Sequence, residues 1–425
     1  MTQSQDTTVE QILTGFFSTE WIETQARELG VVKRIRKIHP SSFFWTLVFG
    51  FGTGAHRSLG GLRRAFCQAV GIHVSRSSFY ERFTPALVCL MKAAVALASN
   101  TLLVTTLEMK PMLYAFQDVV IADGTVIKLY KLLKDKFPAC KQDQAAAKLN
   151  IVMSVFGKTP TKIKLSNQRQ NEGKLLSIGP WVSGRLLLID LAFFGYRLFD
   201  RIDRNGGFFI SRLKDSANPT ITKVHQTCRG RARPMLGKKV QRAIVGLKRH
   251  ILDMQVQVKI KRRIYHRRCR KVKRTFRLVG VRHPETGVYY LYMTNIPPSL
   301  LSAGQIAAIY TARWMVELLF DQLKTHYRLE DLPSGQPHIV QTLIYAVILT
   351  WMADQKLTQS FLKHAMTASR RQAAVLAAFS TNILKTVIKQ LGLYQGTCSL
   401  TRLIQLELKD PNRKQRLLLQ RAGMT

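Results

Sequence analysis

Four polar residues in the last third of the chain have a spacing that could bind a phosphate group. They are Tyr310, Arg313, Glu317 and Lys324. At about 100° per residue of an α-helix, all four fall within an arc of about 60°. Apolar residues fall on the other side: Val316, Leu319, Phe320 and Leu323. The pattern predicts one helix that packs its apolar face inward and presents a hydroxyl, two cations and an acid on the other face. The alternative is a solvated face with ordinary i,i+4 ion pairs.

Two further acids each follow a run of apolar residues. Asp123 and Asp190 come directly after runs that are typical of buried strands. A carboxylate at such a position is costly to desolvate unless it meets a cation, and the carboxyl ends of strands are where α/β sheets usually hold ligands. Together with Glu317, these acids predict a magnesium site. Asp118 and Asp200 compete for the role, but the first precedes its predicted strand and the second lies in the middle of a predicted helix.

The spacing of the first four residues resembles the signature of DDE transposases of the insertion-sequence-4 type: Tyr, two residues, Arg, three residues, Glu, six residues, Lys. The resemblance covers roughly residues 115 to 345. It extends to Ile121-Ala-Asp-Gly-Thr125, to Asp190 followed by Gly195-Tyr-Arg197, and to Phe209-Ile-Ser-Arg-Leu-Lys214. One departure from the pattern is the four residues that separate Asp190 from Gly195.

The resemblance implies a function and a set of site residues. Asp123, Asp190 and Glu317 would be the catalytic acids and would hold two Mg²⁺ ions, with Mn²⁺ as a substitute. Tyr310, Arg313 and Lys324 would bind DNA phosphate beside the scissile bond. The implied reaction is cut-and-paste transposition, in which transposon ends are cleaved and joined to target DNA, and the implied assembly is a homodimer on two DNA ends. A metal-dependent nuclease without strand transfer and a non-catalytic DNA-binding protein are the alternatives.

Composition favours a polyanionic partner. The 425 residues include 65 Lys and Arg against 25 Asp and Glu, which gives a formal charge of +40. Ribosomal or membrane association would also suit this charge, but neither calls for a buried acid triad, so double-stranded DNA is the expected partner. The six cysteines contain no Cys-x-x-Cys pair, no secretory signal is seen, and the most apolar late stretch, 339–353, is short for a membrane span. A cytoplasmic protein associated with the bacterial nucleoid is expected.

The expected fold is α/β: a ribonuclease-H-like core with a mixed five-stranded sheet and helices, interrupted by a β-rich insertion, after an all-helical N-terminal domain. Core strands are predicted at 119–122, 150–156, 161–165, 186–189 and 208–212, and core helices at 171–178 and 196–204. Insertion strands are predicted at 254–260, 275–281 and 288–294. The segments are a helical DNA-binding domain (1–110), the first part of the core (111–215), the insertion (216–300), the second part of the core with the Glu317 helix (301–345), and a C-terminal helical region (346–425).

Two basic segments are predicted to contact DNA outside the acid site. The first is a helix-turn-helix whose second helix, near 75–83, carries Arg76 and Arg82, although a plain helical bundle would show the same pattern. The second is a hairpin over 259–274 that contains no acid, and a disordered basic tail is its alternative. Its expected phosphate contacts are Arg262, Arg263, Arg267, Arg268 and Lys271.

Overall fold

The structure, a computed structural model, describes residues 9–34, 36–54, 56–103, 113–155, 159–170, 176–225, 235–263 and 269–364. The chain divides into two compact units. We call residues 1–102, 127–147 and 321–425 the helical unit, and residues 103–126 and 148–320 the sheet unit. The five segments predicted from the sequence stay a prediction. The two units do not follow their boundaries, because the whole of 148–320 clusters together.

Among the described residues, the helical unit begins with six α-helices. They are α1 (Val9–Phe16), α2 (Thr19–Glu28), α3 (Pro40–Trp45), α4 (Leu59–Val70), α5 (Arg76–Tyr80) and α6 (Pro85–Leu103), with a π-helical segment (Thr46–Phe51) directly after α3. Aromatic rings form much of its core. Phe43 makes edge contacts with Phe66, Phe79 and Phe83, whose ring centroids lie 6.4, 5.2 and 5.5 Å away.

The last described helix of the chain, α11 (Pro337–His364), packs tightly within the helical unit. The Thr350 hydroxyl donates to the Val48 carbonyl, and a Cβ placed on Gly52 would lie 1.8 Å from Thr350 Oγ1, so only glycine fits at this crossing. The predicted apolar stretch 339–353 is therefore a mostly buried core helix. Among the described residues, one helix is long and apolar enough to cross a membrane, Pro85–Leu102 in α6, and half of it is buried within the protein.

The predicted helix-turn-helix is present only in a shortened form. Helix α4 ends at Gly71, which has φ +70°, and α5 begins after Ser75, whose hydroxyl accepts a hydrogen bond from the Ser78 N–H at 3.2 Å. Helix α5 has 5 residues, so the expected second helix over 75–83 is wrong in extent. Arg76 is exposed on it, whereas Arg82 follows its end and is half-buried.

One mixed β-sheet organises the sheet unit. Its strands are β1 (Asp118–Leu129), β2 (Ala145–Ser154), β3 (Thr159–Asn167), β4 (Arg185–Ile189), β5 (Phe208–Arg212), β6 (Thr220–Val224), β7 (Ile251–Arg263), β8 (Cys269–Arg282) and β9 (Tyr289–Thr294). Their order across the sheet is β3-β2-β1-β4-β5-β9-β8-β7-β6. Strands β1, β4 and β5 pair in parallel, and β5-β9-β8-β7-β6 pair antiparallel.

The predicted five-stranded sheet is thus corrected to a nine-stranded sheet. Strand β9, expected in a separate insertion, pairs directly with β5 in the register Ile210↔Thr294. The core explains this continuity, because Phe209 of β5 stacks on Phe199 at 4.3 Å and meets Phe276 of β8 at 5.5 Å. The insertion shares the hydrophobic core of the strands that precede it, rather than forming a core of its own.

In the part of the chain that the structure describes, two helices flank this sheet between its strands: α7 (Tyr196–Arg204) and α8 (Val240–Ile244). Helix α7 confirms the helix predicted at 196–204. The other predicted core helix, 171–178, is not confirmed: residues 171–175 lie outside the described residues, and residues 176–178 are not helical.

A buried ion pair joins strands β7 and β8. The guanidinium of Arg277 donates from Nη2 to Asp253 Oδ2 at 2.6 Å and from Nε to Oδ1 at 2.8 Å. Its Nη1 also donates to the carbonyls of Ile296 and Leu301, at 3.2 and 2.8 Å. Both charged side chains are almost fully buried. This pair therefore links the hairpin to the segment that leads into the next helix.

Candidate active site

The first two acids are placed side by side by a parallel strand pair. Strands β1 and β4 are in register up to Ala122↔Ile189, so Asp123 and Asp190 are the residues that directly follow the last paired positions. Strand β1 does not end at Asp123 as expected. It continues to Leu129, and only its uninterrupted run of buried residues stops at Ala122. Asp190 does leave its strand: its carboxylate accepts a hydrogen bond from the Ala192 N–H at 3.0 Å and begins a short 3₁₀ turn.

The third acid is carried by a helix that follows a break. Helix α9 (Ala303–Tyr310) begins with a reciprocal cap, in which Gln305 N donates to Ser302 Oγ and Ser302 N donates to Gln305 Oε1. It ends in a 3₁₀ turn over Thr311–Arg313, after which α10 (Trp314–Thr325) carries Glu317 in its first turn. The single helix expected from the spacing is therefore wrong. A 3₁₀ turn advances about 120° per residue, so the predicted common arc is not kept.

Tyr310 is turned inward by this break. The side chain is 7% exposed, and its hydroxyl donates to the Ile189 carbonyl at 3.3 Å. Burial raises the pKa of Tyr310 to about 12. Instead of standing open for a phosphate, as expected, Tyr310 ties the end of α9 to the end of the strand that precedes Asp190.

Arg313 lies among the three acids. Its Nη2 is 2.8 Å from Glu317 Oε1, and its Nη1 is 3.5 Å from Asp190 Oδ1 and 3.9 Å from Asp123 Oδ2. The side chain is 17% exposed, so these charges interact with little solvent screening. The structure thus brings together the three acids that the sequence predicted, around the arginine of the same motif.

Electrostatics in this cluster favour protonation of one acid. Burial, and to a lesser extent the nearby carboxylates of Asp190 and Glu317, raise the pKa of Asp123, which is about 6 overall. A hydrogen bond from the Gly124 N–H at 2.7 Å and the charge of Arg313 oppose that rise. For Arg313 itself, burial lowers the pKa, but the hydrogen bond to Glu317 and the neighbouring anions raise it overall. One cation therefore balances only part of the negative charge.

The chemistry of the three carboxylates suits a hard divalent cation. Carboxylate oxygens are the ligands such ions prefer, and Glu317 Oε2 is buried without a hydrogen-bond partner among the described residues. Within that same part of the chain, no three His, Cys, Asp or Glu side chains are already gathered as an ion site. The acids instead converge on Arg313. Binding of an ion here would therefore require Arg313 to give up part of its contact with them.

Lys324 lies seven residues after Glu317 on α10 and belongs to the helical unit. Its Nζ is 3.3 Å from Glu330 Oε1.

The acids that competed for the catalytic role are placed elsewhere. Asp118 begins β1 and accepts a hydrogen bond from Ser154 at 2.9 Å, while Asp200 on α7 is ion-paired to Arg204 and Arg274.

Two residues near the site were missed from the sequence. Asn150 on β2 is buried, and its Oδ1 has no hydrogen-bond partner among the described residues. A Cβ placed on Gly124 would lie 2.8 Å from that oxygen. The glycine that follows Asp123 was a visible signal, because a glycine inside a strand often marks close approach of another group.

The predicted DNA contacts fall in three groups. Arg76 is exposed, with its Cζ 5.3 Å from the centroid of Tyr80, and Arg82 Nε is buried without a hydrogen-bond partner among the described residues. Lys271 is exposed on β8. Arg262 and Arg263 lie on β7, where only their backbone is described, and Arg267 and Arg268 lie outside the described residues.

Comparison with known proteins identifies the class. A transposase DDE domain matches residues 114–353, which is more than half of the chain. The chain therefore belongs to the DDE transposase family, and it is a DNA transposase.

Its relatives include transposases of bacterial insertion sequences. The chain is 22% identical over 362 residues to the transposase of element IS231E from Bacillus thuringiensis subsp. finitimus, covering 77% of this chain and 75% of that protein. It is 23% identical over 363 residues to the transposase of IS231B from B. thuringiensis subsp. berliner, with the same coverage. A solved piggyBac transposase synaptic complex with hairpin DNA is 10% identical, with a TM-score of 0.43 over 94% of this chain and 84% of that one.

Replacing Gly124 by Ala tests the close approach beside Asp123. The added Cβ would force β1 away from Asn150 Oδ1, so we expect a loss of stability on the order of 1–2 kcal/mol and slower DNA cleavage. Gly195→Ala is the matched control, because its Cβ would lie 3.8 Å from the nearest atom. Adding Asn150→Ala to the Gly124 variant should restore part of the stability in urea unfolding. A Gly124→Ala protein as stable and active as the wild type would contradict the expected clash.

The raised pKa of Asp123 predicts a pH dependence of stability. Because the folded-state pKa is about 6 and the ordinary pKa of an aspartate is 3.8, the folded state binds more protons between these pH values. Its contribution to stability is therefore fully present below about pH 4 and is lost as the pH rises through 6. Between these limits, wild type should lose on the order of 2 kcal/mol relative to Asp123→Asn. Urea unfolding in EDTA at a series of pH values measures this difference, and parallel curves for the two proteins would contradict it.

Proposed function

We propose that this transposase cuts the ends of its DNA element and joins them to target DNA, using Asp123, Asp190 and Glu317 to hold Mg²⁺. The observation that carries the proposal is the convergence of these three carboxylates, from three separate elements, on one guanidinium. Divalent-metal dependence follows from membership of the DDE family. When bound, the ions would activate the attacking oxygen and neutralise charge on the phosphate oxygens.

A ribonuclease-H-like core is the fold we propose for the catalytic part. Support comes from the strand order β3-β2-β1-β4-β5 at one side of the sheet, with β1, β4 and β5 parallel. In this arrangement, the first acid lies on the central strand β1, the second follows its neighbour β4, and the third comes from a later helix. These are the places that the resemblance to insertion-sequence-4-type transposases implies.

Arg313 would exchange partners during the reaction. Its planar guanidinium suits two-pronged binding of a phosphate. In this structure it is held by the carboxylates of Asp190 and Glu317, which would bind the cations instead during the reaction. We propose that it turns to the phosphate beside the scissile bond. Lys324 would bind DNA phosphate as a point charge, and Tyr310 would position the strand end that presents Asp190.

The hairpin of β7 and β8 would bind the DNA backbone. Its register places like charges opposite each other, at Lys259↔Lys273 and Lys261↔Lys271. Such pairs destabilise a sheet unless a polyanion lies over them. Val258 and Ile260 are buried between these positions, so one side of the hairpin packs into the protein while Lys259, Lys271 and Lys273 remain exposed. Arg262, Arg263, Arg267 and Arg268 would extend this basic surface. Arg76 and Arg82, in the helical unit, would bind DNA independently of it.

The assembly we propose is a homodimer that holds two DNA ends in the bacterial cytoplasm, at the nucleoid. The formal charge of +40 supports DNA association.

A strand-transfer assay tests the proposed function. End-labelled duplexes taken from the DNA that flanks the coding sequence are incubated with the full-length protein, Mg²⁺ and a supercoiled target plasmid. Cleavage followed by labelled plasmid is the expected result. Cleavage without joined product would instead indicate a nuclease, and binding without cleavage would indicate a non-catalytic DNA-binding protein. Either of these two outcomes would overturn the proposal.

A further inference from the structure

The helical unit contains a half-buried cation, Arg57, that the proposed reaction does not use. Arg57 lies with its Cζ 4.4 Å from the centroid of Phe51, and its Nη2 donates to the Tyr327 carbonyl. Its Nε and Nη1 are buried and have no hydrogen-bond partner among the described residues. A guanidinium in this position is costly unless an anion compensates it. Burial, with Arg328 nearby, lowers the pKa of Arg57 to about 10, which reflects this lack of compensation.

Arg57 borders a cavity of about 550 Å³ that is large enough for a phosphate group with its flanking atoms. Lys128 also lines the cavity, and its side chain is exposed. Arg328 lines it too, with φ +49°, a left-handed conformation that is uncommon outside glycine and is often found at binding sites. The cavity therefore gathers three cationic side chains from three separate stretches of the chain.

The acids at this cavity are already engaged with other cations. Asp331 Oδ2 pairs with Arg328, at 2.5 Å, and Glu330 Oε1 pairs with Lys324, at 3.3 Å. Asp331 raises the pKa of Arg57 less than burial and Arg328 lower it. Because these acids pair with Arg328 and Lys324, Arg57 and Lys128 are the cations of the cavity that a ligand would neutralise.

We infer that this cavity, bordered by Arg57 and Lys128, is a binding site for a phosphate group, supplied by a DNA backbone outside the scissile phosphate. The inference rests on the proposed function in taking DNA as the source of the phosphate. Arg57 would supply an uncompensated positive charge at the wall of the cavity and Lys128 a point charge, so the contact would be insensitive to base sequence. None of the acids of the catalytic cluster lines the cavity.

The salt dependence of DNA binding tests this site. Fluorescence anisotropy measures the affinity of full-length wild type, Arg57→Gln and Lys128→Gln for a labelled duplex over a series of KCl concentrations. Each substitution should weaken binding to all sequences and lower the slope of log K against log salt by about 0.9. Arg27→Gln, which removes an exposed charge from α2, is the matched control and should leave the slope unchanged.

A second measurement separates the two sources of phosphate. Sodium phosphate, compared with sodium chloride at equal ionic strength, should raise the thermal unfolding midpoint of wild type but not that of Arg57→Gln. If it does so while the DNA slopes stay equal, the site takes free phosphate and the DNA assignment is overturned. If neither the slope nor the midpoint responds, the site itself is overturned.

The Lys128→Gln variant keeps the test informative even if Arg57→Gln does not fold, because the exposed side chain of Lys128 can be replaced without opening the core. A folded Lys128→Gln protein with the wild-type slope would contradict the DNA contact, whatever happens to Arg57→Gln. Neither measurement requires DNA cleavage. Failure of the strand-transfer assay and failure of this inference are therefore distinguishable.

Discussion

Replacing Asp123 by Asn is expected to abolish cleavage of the element's ends while DNA binding is retained. The substitution keeps the shape of the side chain but removes a charge that the divalent ions require. Because Asp123 neighbours both Asp190 and Arg313, its loss should lower the cleavage rate by on the order of 10³-fold or more. Rates are measured on end-labelled duplexes, and affinity on the same duplexes by anisotropy.

Asp215→Asn is the matched control for this substitution, because Asp215 is an exposed acid of the same unit. It should cleave at the wild-type rate. An Asp123→Asn protein that binds DNA and cleaves within about tenfold of the wild type would contradict a catalytic role for this acid.

Replacing Asp253 by Ala is expected to produce the largest loss of stability in the sheet unit. It would leave the buried guanidinium of Arg277 without its bidentate partner, and breaking such a pair typically costs about 3–5 kcal/mol. Because Arg277 also holds the carbonyls of Ile296 and Leu301, the segment leading into α9 should loosen with it. Urea unfolding measures the loss, and slower DNA cleavage should accompany it because α9 leads to the catalytic turn.

Glu285→Gln provides the control, since Glu285 is exposed in the turn between β8 and β9. It should change the free energy of unfolding by less than about 0.5 kcal/mol. Equal unfolding curves for Asp253→Ala and Glu285→Gln would show that the ion pair does not stabilise the fold.

The acids of the site were predictable because each carried a local signal. Asp123 and Asp190 follow buried runs, and those runs pair in parallel, so the two positions meet. Glu317 was marked by its spacing from Arg313, and the two are in contact at 2.8 Å. These signals depend only on residues within a few positions, which is the range over which sequence patterns determine local structure.

The features that were missed depend on breaks or on distant contacts. The angular positions assumed a continuous helix, but the turn at 311–313 buries Tyr310. It also leaves Trp314 61% exposed. The pairing of β9 with β5 joins residues 80 or more positions apart, and the alternation within each strand does not specify its neighbour. The five-stranded expectation failed for that reason.

The central claim is that Asp123, Asp190 and Glu317 bind the same divalent ions. The most direct measurement is a crystal structure of the protein with element-end DNA and Mn²⁺, with the ions located by anomalous scattering. We predict anomalous peaks within about 2.0–2.5 Å of oxygens from all three carboxylates, with Arg313 turned from them to a DNA phosphate. The account would be contradicted if the Mn²⁺ ions were bound only by other residues while the three carboxylates still contacted Arg313.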